Sequence, residues 1–277
     1  MKRRKFWFPV LWWASALLFL AFLVFPVLWM LSTSLKPSSE IFHTPPHWIP
    51  EHPTLHAFTT LWQRGNFLRY LTNSLLIALA TTGIAVVVSS MAGYAFARLP
   101  FRGRKSVLFG ILTAQMIPGV LFLLPIFVLI KQLGLLNTYA GLILANVAFS
   151  LPFAIWMMYG FYKHIPAELE EAAWVDGAGV GGTFFRVVLP MGLPGLSSCA
   201  VFCFLNSWDE FVFALSLTTG DELRTMPVGL FHFVGQYGIE WNYLMAGAVL
   251  VTIPAMLFFA LFQKRLLSGF AAGAVKG

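Results

Sequence analysis

PAELEEAAWVDGAGVGGTFFRVVLP, residues 166–190, is a polar-edged stretch between two long apolar runs, and its reading decides what those runs are for. Pro166 suits the first turn of a helix, where its missing N–H would have no partner anyway. Glu168, Glu170 and Glu171 then place negative charge at that helix's positive end. A short helix is predicted from here. Leu169, Ala172, Ala173 and Asp176 fall at i, i+3, i+4 and i+7, a face of small side chains that lets another surface come close. Gly177 and Gly179 are expected to stop it. A second short helix is predicted over Thr183 to Leu189, ended by Pro190. Taken alone, such alanines are also what a plain connector of high helix propensity would carry.

Outward from this stretch the chain is too apolar for a soluble domain: 277 residues, 58% hydrophobic and 10% charged, with mean hydropathy +0.78. Stretches free of Asp, Glu, Lys and Arg run over 6–35, 70–97, 106–130, 132–162, 187–208 and 241–263. Each reaches the roughly 20 residues that cross a bilayer core as a helix. Outer-membrane strands are about 10 residues long and alternate in polarity, whereas these runs are continuous. The sequence therefore predicts an all-α, polytopic membrane protein of one domain, 1–277, with six transmembrane helices at about 8–32, 71–97, 106–130, 139–162, 195–218 and 242–262. The loop 163–194 joins the fourth to the fifth.

Basic residues flanking spans stay on the cytoplasmic side. With the N-terminus inside, 13 of the 18 Lys and Arg fall on inner segments, among them Arg98, Arg102, Arg104, Lys105, Lys163 and Arg186. Both termini and the 163–194 loop are thus expected to face the cytoplasm. The net charge of +7 is mostly this topology signal. Dispersed among membrane flanks, it makes no nucleic-acid surface. The basic leader Met1 to Lys5 resembles the start of a signal peptide, but the run from Phe6 to Leu35 exceeds a signal h-region and no A-x-A-like site closes it. An uncleaved first span is expected, with Trp7, Trp12, Trp13 and Trp29 towards its interfaces.

Between the first two spans lie Pro45, Pro46, Pro50 and Pro53 beside His43, His47, His52 and His56. The prolines break any helix that would aim the imidazoles together and the loop has no Cys, so an irregular outer loop and no metal site are expected. In the third span Pro118-Gly119 should weaken or kink the helix, leaving carbonyls partly free; it either lines a path or is an accommodated kink. The fourth span carries Asn146 and Pro152. The fifth is interrupted by Asn206, Ser207, Trp208, Asp209 and Glu210. A carboxylate deep in lipid costs about 2.5–3.5 kcal/mol even on mild insertion scales, so the acidic pair should face a partner, a cavity or water. Alternatively the span ends at Leu205 and the pair lies in the outer interface. Cys199 and Cys203 read as apolar filler.

No G-x-x-x-x-G-K-[ST] phosphate cradle, G-x-S-x-G elbow or H-E-x-x-H pair occurs, so the chain is not expected to be an enzyme. Glu171-Ala172-Ala173, three residues, Gly177, nine residues, then Val187-Val188-Leu189-Pro190 resembles the EAA loop of permease subunits of bacterial ABC importers. Ser207 to Leu215, the tail Ser268 to Gly277, and Thr54-Leu55 with Phe58 and Trp62 are similar to parts of the maltose-type (MalG-like) sugar permeases. The resemblance implies a heteromeric importer: a second homologous permease completes the pore, two ABC ATPases bind the EAA loops, and an extracytoplasmic binding protein delivers the solute. It implies that ATP and Mg are used by the ATPase, with no cofactor on this chain. Glu168, Glu170, Glu171, Ala172, Ala173, Asp176 and Gly177 would form the ATPase-docking coupling helix, and Asn206, Trp208, Asp209, Glu210, Pro118 and Asn146 would border the substrate path. The glycine run Gly179 to Gly182 and the bulky Trp174 depart from the usual motif. An importer of another solute, an osmolyte or amino acid, would fit the same motif, whereas a secondary transporter would need no ATPase.

Overall fold

Apolar runs without a helix-breaking pair become continuous helices, and Pro118-Gly119 divides the run that contains it. The structure, a computed structural model, describes residues 4–63, 66–235 and 238–274. Lys2, Arg3, Arg64 and Lys276, four of the 18 basic residues counted for topology, lie outside the described residues, as do the tail's Val275 and Gly277. In chain order the helices are α1 (Arg4–Ser34), α2 (Ser38–Ile41), α3 (His56–Gln63), α4 (Phe67–Arg98) and α5 (Arg104–Gln115). A 3₁₀ turn, Gly119–Phe122, leads to α6 (Leu123–Gln132), then α7 (Tyr139–Lys163) and α8 (Glu168–Val175). Next come α9 (Val180–Thr183), a π-helical turn Phe184–Val188, α10 (Leu189–Met191), α11 (Leu193–Trp208), α12 (Val212–Leu217) and α13 (Met226–Phe231). Val234–Gly235 (β1) pairs antiparallel with Gly238–Ile239 (β2) before α14 (Trp241–Ala274).

Among the described residues four helices are long and apolar enough to cross a bilayer, and six spans result if two bent pairs count as one span each. One pair is Arg104–Gln115 with Gly119–Gln132, bent by 101° at Pro118, where a break was expected. The other is Val180–Met191 with Leu193–Trp208, bent by 76°. The apolar side chains of α1 from Val10 to Leu28 lie open, as lipid-facing side chains must, since a soluble chain does not expose so continuous a surface.

The chain forms two compact units: residues 1–67 with 230–253, and 68–229 with 254–277. In the first, the Pro/His loop is tied down by two charged groups. Lys36 Nζ donates to the carbonyl of His47 (2.5 Å) and lies 4.7 Å from the Trp29 ring centroid. Glu40 accepts from the N–H groups of Glu51 (2.8 Å) and His52 (3.4 Å), while His47 Nδ1 sits 3.3 Å from a Glu51 carboxylate oxygen. The backbone N–H of Glu51 above all, opposed by burial, holds the Glu40 carboxyl below its ordinary range. Trp29, Trp48 and Phe25 close an aromatic cluster below it.

In the second unit α7 is central, touching α5, α6, α11 and α12. It begins with Thr138, whose hydroxyl accepts from the N–H of Gly141 (3.0 Å). Close packing against α4 depends on Gly93, where a Cβ would sit 2.7 Å from that of Met158 and 2.8 Å from a backbone nitrogen. One turn earlier Ser90 Oγ and Tyr162 Oη share a hydrogen bond of 2.6 Å. Asn73 at the other end of α4 donates to the carbonyls of Glu222 and Arg224 (both 2.9 Å) and accepts from Tyr139 Oη (2.6 Å), fixing the 219–225 loop. Cys199 and Cys203 are unbridged and wholly enclosed in the core with Tyr94, Ala154, Met158, Tyr162 and Val188.

Candidate functional site

The 166–190 stretch folds as two short helices around a glycine stop. α8 starts at Glu168 rather than at Pro166, with both Glu170 and Glu171 N–H groups bonded to the Ala167 carbonyl. It ends in a Schellman closure: Ala178 N–H reaches the Ala173 carbonyl (2.9 Å), Gly177 N–H reaches that of Trp174 (3.0 Å), and Gly177 takes φ +83°. Gly179 plays no part in that stop; at φ −74°, ψ 172° it begins α9. The second helical stretch is longer than predicted. It runs Val180 to Met191, with a π-helical turn at Phe184–Val188 just before Pro190, so the proline falls inside the stretch instead of ending it.

The faces of α8 divide sharply. Glu168, Leu169, Glu171, Ala172, Trp174, Val175 and Asp176 are exposed, Val175 to 89%, whereas Ala173 is half-buried. Glu170 is 1% exposed, which corrects its assignment to the docking surface: its carboxylate points into its own subunit. There it accepts from Arg98 Nε (2.5 Å) and Tyr94 Oη (3.0 Å). Arg98 also donates through Nη2 to the carbonyl of Ile165, between α7 and α8. Beside this pair, Phe184 and Val188 insert among Tyr94, Tyr162 and Ile165, with the Tyr94 and Phe184 rings 4.9 Å apart. Neither Arg98 nor Tyr94 stands out in the sequence; the only sign is a third glutamate on a helix too short to need three.

The second candidate region is a cavity of about 550 Å³ lined by Gly119, Val120, Phe149, Phe202, Leu205, Asn206 and Asp209 to Phe213. The break after α5 and the break between α11 and α12 meet here. Asn206 and Asp209, two of the substrate-path candidates, line this cavity, and Pro118 precedes the lining residue Gly119. Glu210 also lines it, but its carboxylate is committed to the N–H groups of Phe213 (2.6 Å) and Ala214 (2.8 Å), capping α12. Asp209 has no ion-pair partner among the described residues. Two expectations are corrected. Trp208 is buried and stacked on Phe204 (centroids 5.5 Å), because an indole gains more from aromatic packing than from a wet wall. Asn146 is buried and donates to the Leu142 carbonyl of its own helix (2.9 Å), so its polarity is spent locally. The aromatic wall of Phe149, Phe202 and Phe213 was not legible among 28 phenylalanines.

Residues 85–271 match the family described as binding-protein-dependent transport system inner membrane component. The chain belongs to that family. Among curated members, the trehalose transport system permease protein SugB of Mycobacterium tuberculosis is 38% identical, over 94% of this chain and 95% of that protein. The sulfoquinovosyl glycerol transport system permease protein SmoH of Agrobacterium fabrum is 36% identical over 92% and 89%, respectively. The trehalose/maltose transport system permease protein MalG of Thermococcus litoralis is 36% identical over 95% of each. Among solved structures, a bacterial ABC transporter for the polysaccharide alginate superposes with TM-score 0.80 over 95% of this chain and 98% of that one at 19% identity, a likeness of fold. The methionine ABC transporter MetNI superposes with TM-score 0.63 over 76% of this chain and 98% of that one at 16% identity, again a likeness of fold.

Proposed function

We propose that this chain is the permease subunit of an ATP-driven carbohydrate importer of a bacterial cytoplasmic membrane. In this reading it forms one domain of six spans with both termini inside, pairs with a second homologous permease, and receives solute from an extracytoplasmic binding protein. Two ATPase subunits, which alone handle ATP and Mg, dock on the EAA loops, here residues 163–194. Relatives at 36–38% identity whose names specify trehalose, maltose or a sulfoquinovosyl glycerol support the solute class. The observation that carries the coupling role is the outward face of α8. Leu169, Trp174 and Val175 leave apolar surface open around the small Ala172, with Glu171 and Asp176 beside it, on a helix whose opposite face is fixed inside. An apolar patch with a charged rim fits a protein surface better than it fits water. In the cavity, Phe149, Phe202 and Phe213 offer rings to the C–H faces of a sugar, and Asn206 and Asp209 offer polar groups to its hydroxyls.

Reconstitution with a second permease, an ATPase and a binding protein tests this. Solute should stimulate ATP hydrolysis and enter only when ATP is present. Glu171→Lys should insert normally yet lose ATPase co-purification, because it puts the wrong charge at the first turn and on the docking face. Solute entry without ATP, or wild-type co-purification by Glu171→Lys, would overturn the reading.

A further inference from the structure

Arg98 and Glu170 are 72 positions apart in the sequence, yet they make the closest polar contact between α4 and α8. Both are withdrawn from water, at 17% and 2% side-chain exposure. A buried charge pair is rarely the most stabilising choice for a site, since apolar residues of similar volume often do as well; losing one partner, however, is severe. Such a pair is therefore read for what it fixes. Here it fixes three things at one point. Arg98 holds the carboxylate of α8 and the carbonyl of Ile165 at the end of α7. Tyr94, one turn back on α4, holds the same carboxylate with its hydroxyl and packs its ring on Phe184 of the following helical stretch. Both halves of the 166–190 segment thus end on the last turns of α4, and Gly93, beside them, leaves α4 no slack against Met158 of α7.

We propose that Glu170, Arg98 and Tyr94 form a clamp that locks α8 to the inner end of α4, so that displacement of α8 is transmitted to that span instead of being absorbed by the loop. The proposal rests on α8 being the element an ATPase moves, and adds the route by which the movement reaches the membrane. The three residues are positioning residues. They contact neither solute nor nucleotide, and the exposed face of α8 is complete without them. A flexible tether would let the ATPase close without turning α4; a charge-assisted, three-point attachment does not.

The full importer in proteoliposomes tests it, by solute imported per ATP hydrolysed. Glu170→Ala and Arg98→Ala should retain the ATPase in normal proportion and still hydrolyse ATP, while solute per ATP falls roughly fivefold or more, the range of measured coupling factors. Glu170→Gln, which loses the charge and keeps one of the two acceptor oxygens, should fall between them and wild type. If the alanine variants fail to insert, Tyr94→Phe, which deletes one hydrogen bond, should still lower the ratio. A merely stabilising role would reduce the yield of assembled importer and leave the ratio unchanged, and that result in the inserted variants overturns the clamp. A wild-type assembly that binds no ATPase overturns the importer reading and the clamp together, whereas a working wild type with unaltered variant ratios overturns the clamp alone.

Discussion

Glu40, Glu170 and Glu210 are carboxylates largely taken out of water, and each is answered differently: by backbone N–H groups of a loop, by a guanidinium and a phenol, and by the first N–H groups of a helix. An unanswered carboxylate in such places would neutralise or move. Asp209 is the one left facing the cavity. The two adjacent acids therefore predict opposite phenotypes. Glu210→Ala should lower thermal stability, since losing a side-chain cap costs about 0.5–2 kcal/mol, whereas Asp209→Asn should keep the unfolding temperature and change solute transport. Equal thermal losses in both would contradict the assignment. Glu40 makes a prediction in pH. Its folded value is depressed below the ordinary 4.5, so its stabilisation is complete at neutral pH and is lost as acidification passes through the folded value. Protease nicking of the 43–55 loop should rise at the acid end in wild type and lose that pH dependence in Glu40→Gln.

At the scale of elements, breaks matter more than spans. Gly177 and Gly179 look alike in sequence, but only Gly177 takes a left-handed conformation. Gly177→Val should cost about 1–2 kcal/mol. That lowers the unfolding temperature by about 2–4 °C per kcal/mol in a chain of this size and weakens ATPase retention by loosening the end of α8. Gly179→Ala, at φ −74°, should be nearly neutral, and identical effects of the two substitutions would sink the argument. The bend at Pro118 and the gap at Asp209 to Phe211 work as a pair. Each is a poor helix on its own, and together they leave backbone ends around a space that straight helices would have filled.

At the scale of the whole molecule, class and family were legible in the sequence because both rest on patterns of residue type. Charge-free runs mark the apolar helices, and the spacing of Glu171-Ala172-Ala173, Gly177 and Pro190 marks the loop. The helix at His56–Gln63, with Ala57 and Leu61 inward, lies in the segment expected to be irregular. What was not legible depends on pairing across long separations. Glu170 reads like its neighbours Glu168 and Glu171 until Arg98 and Tyr94 arrive from another helix. Asn146 was misplaced because polarity in a greasy run says that a group must be satisfied, not by what, and it turned to its own helix; Trp208 was misplaced because its ring, stacked on Phe204, and not its N–H, decides where it sits. Cavity walls made of ordinary phenylalanines give no signal at all.

The sealed position of Cys199 and Cys203 has a practical side. They are the sequence's only two sulfhydryls, and both sit where no water-soluble maleimide can reach while the bundle is intact. The native polypeptide is thus silent to such reagents, so fluorophores or spin probes can be attached at chosen sites without first stripping its own thiols. Any adduct that forms on the unaltered chain becomes a direct readout of the bundle coming apart.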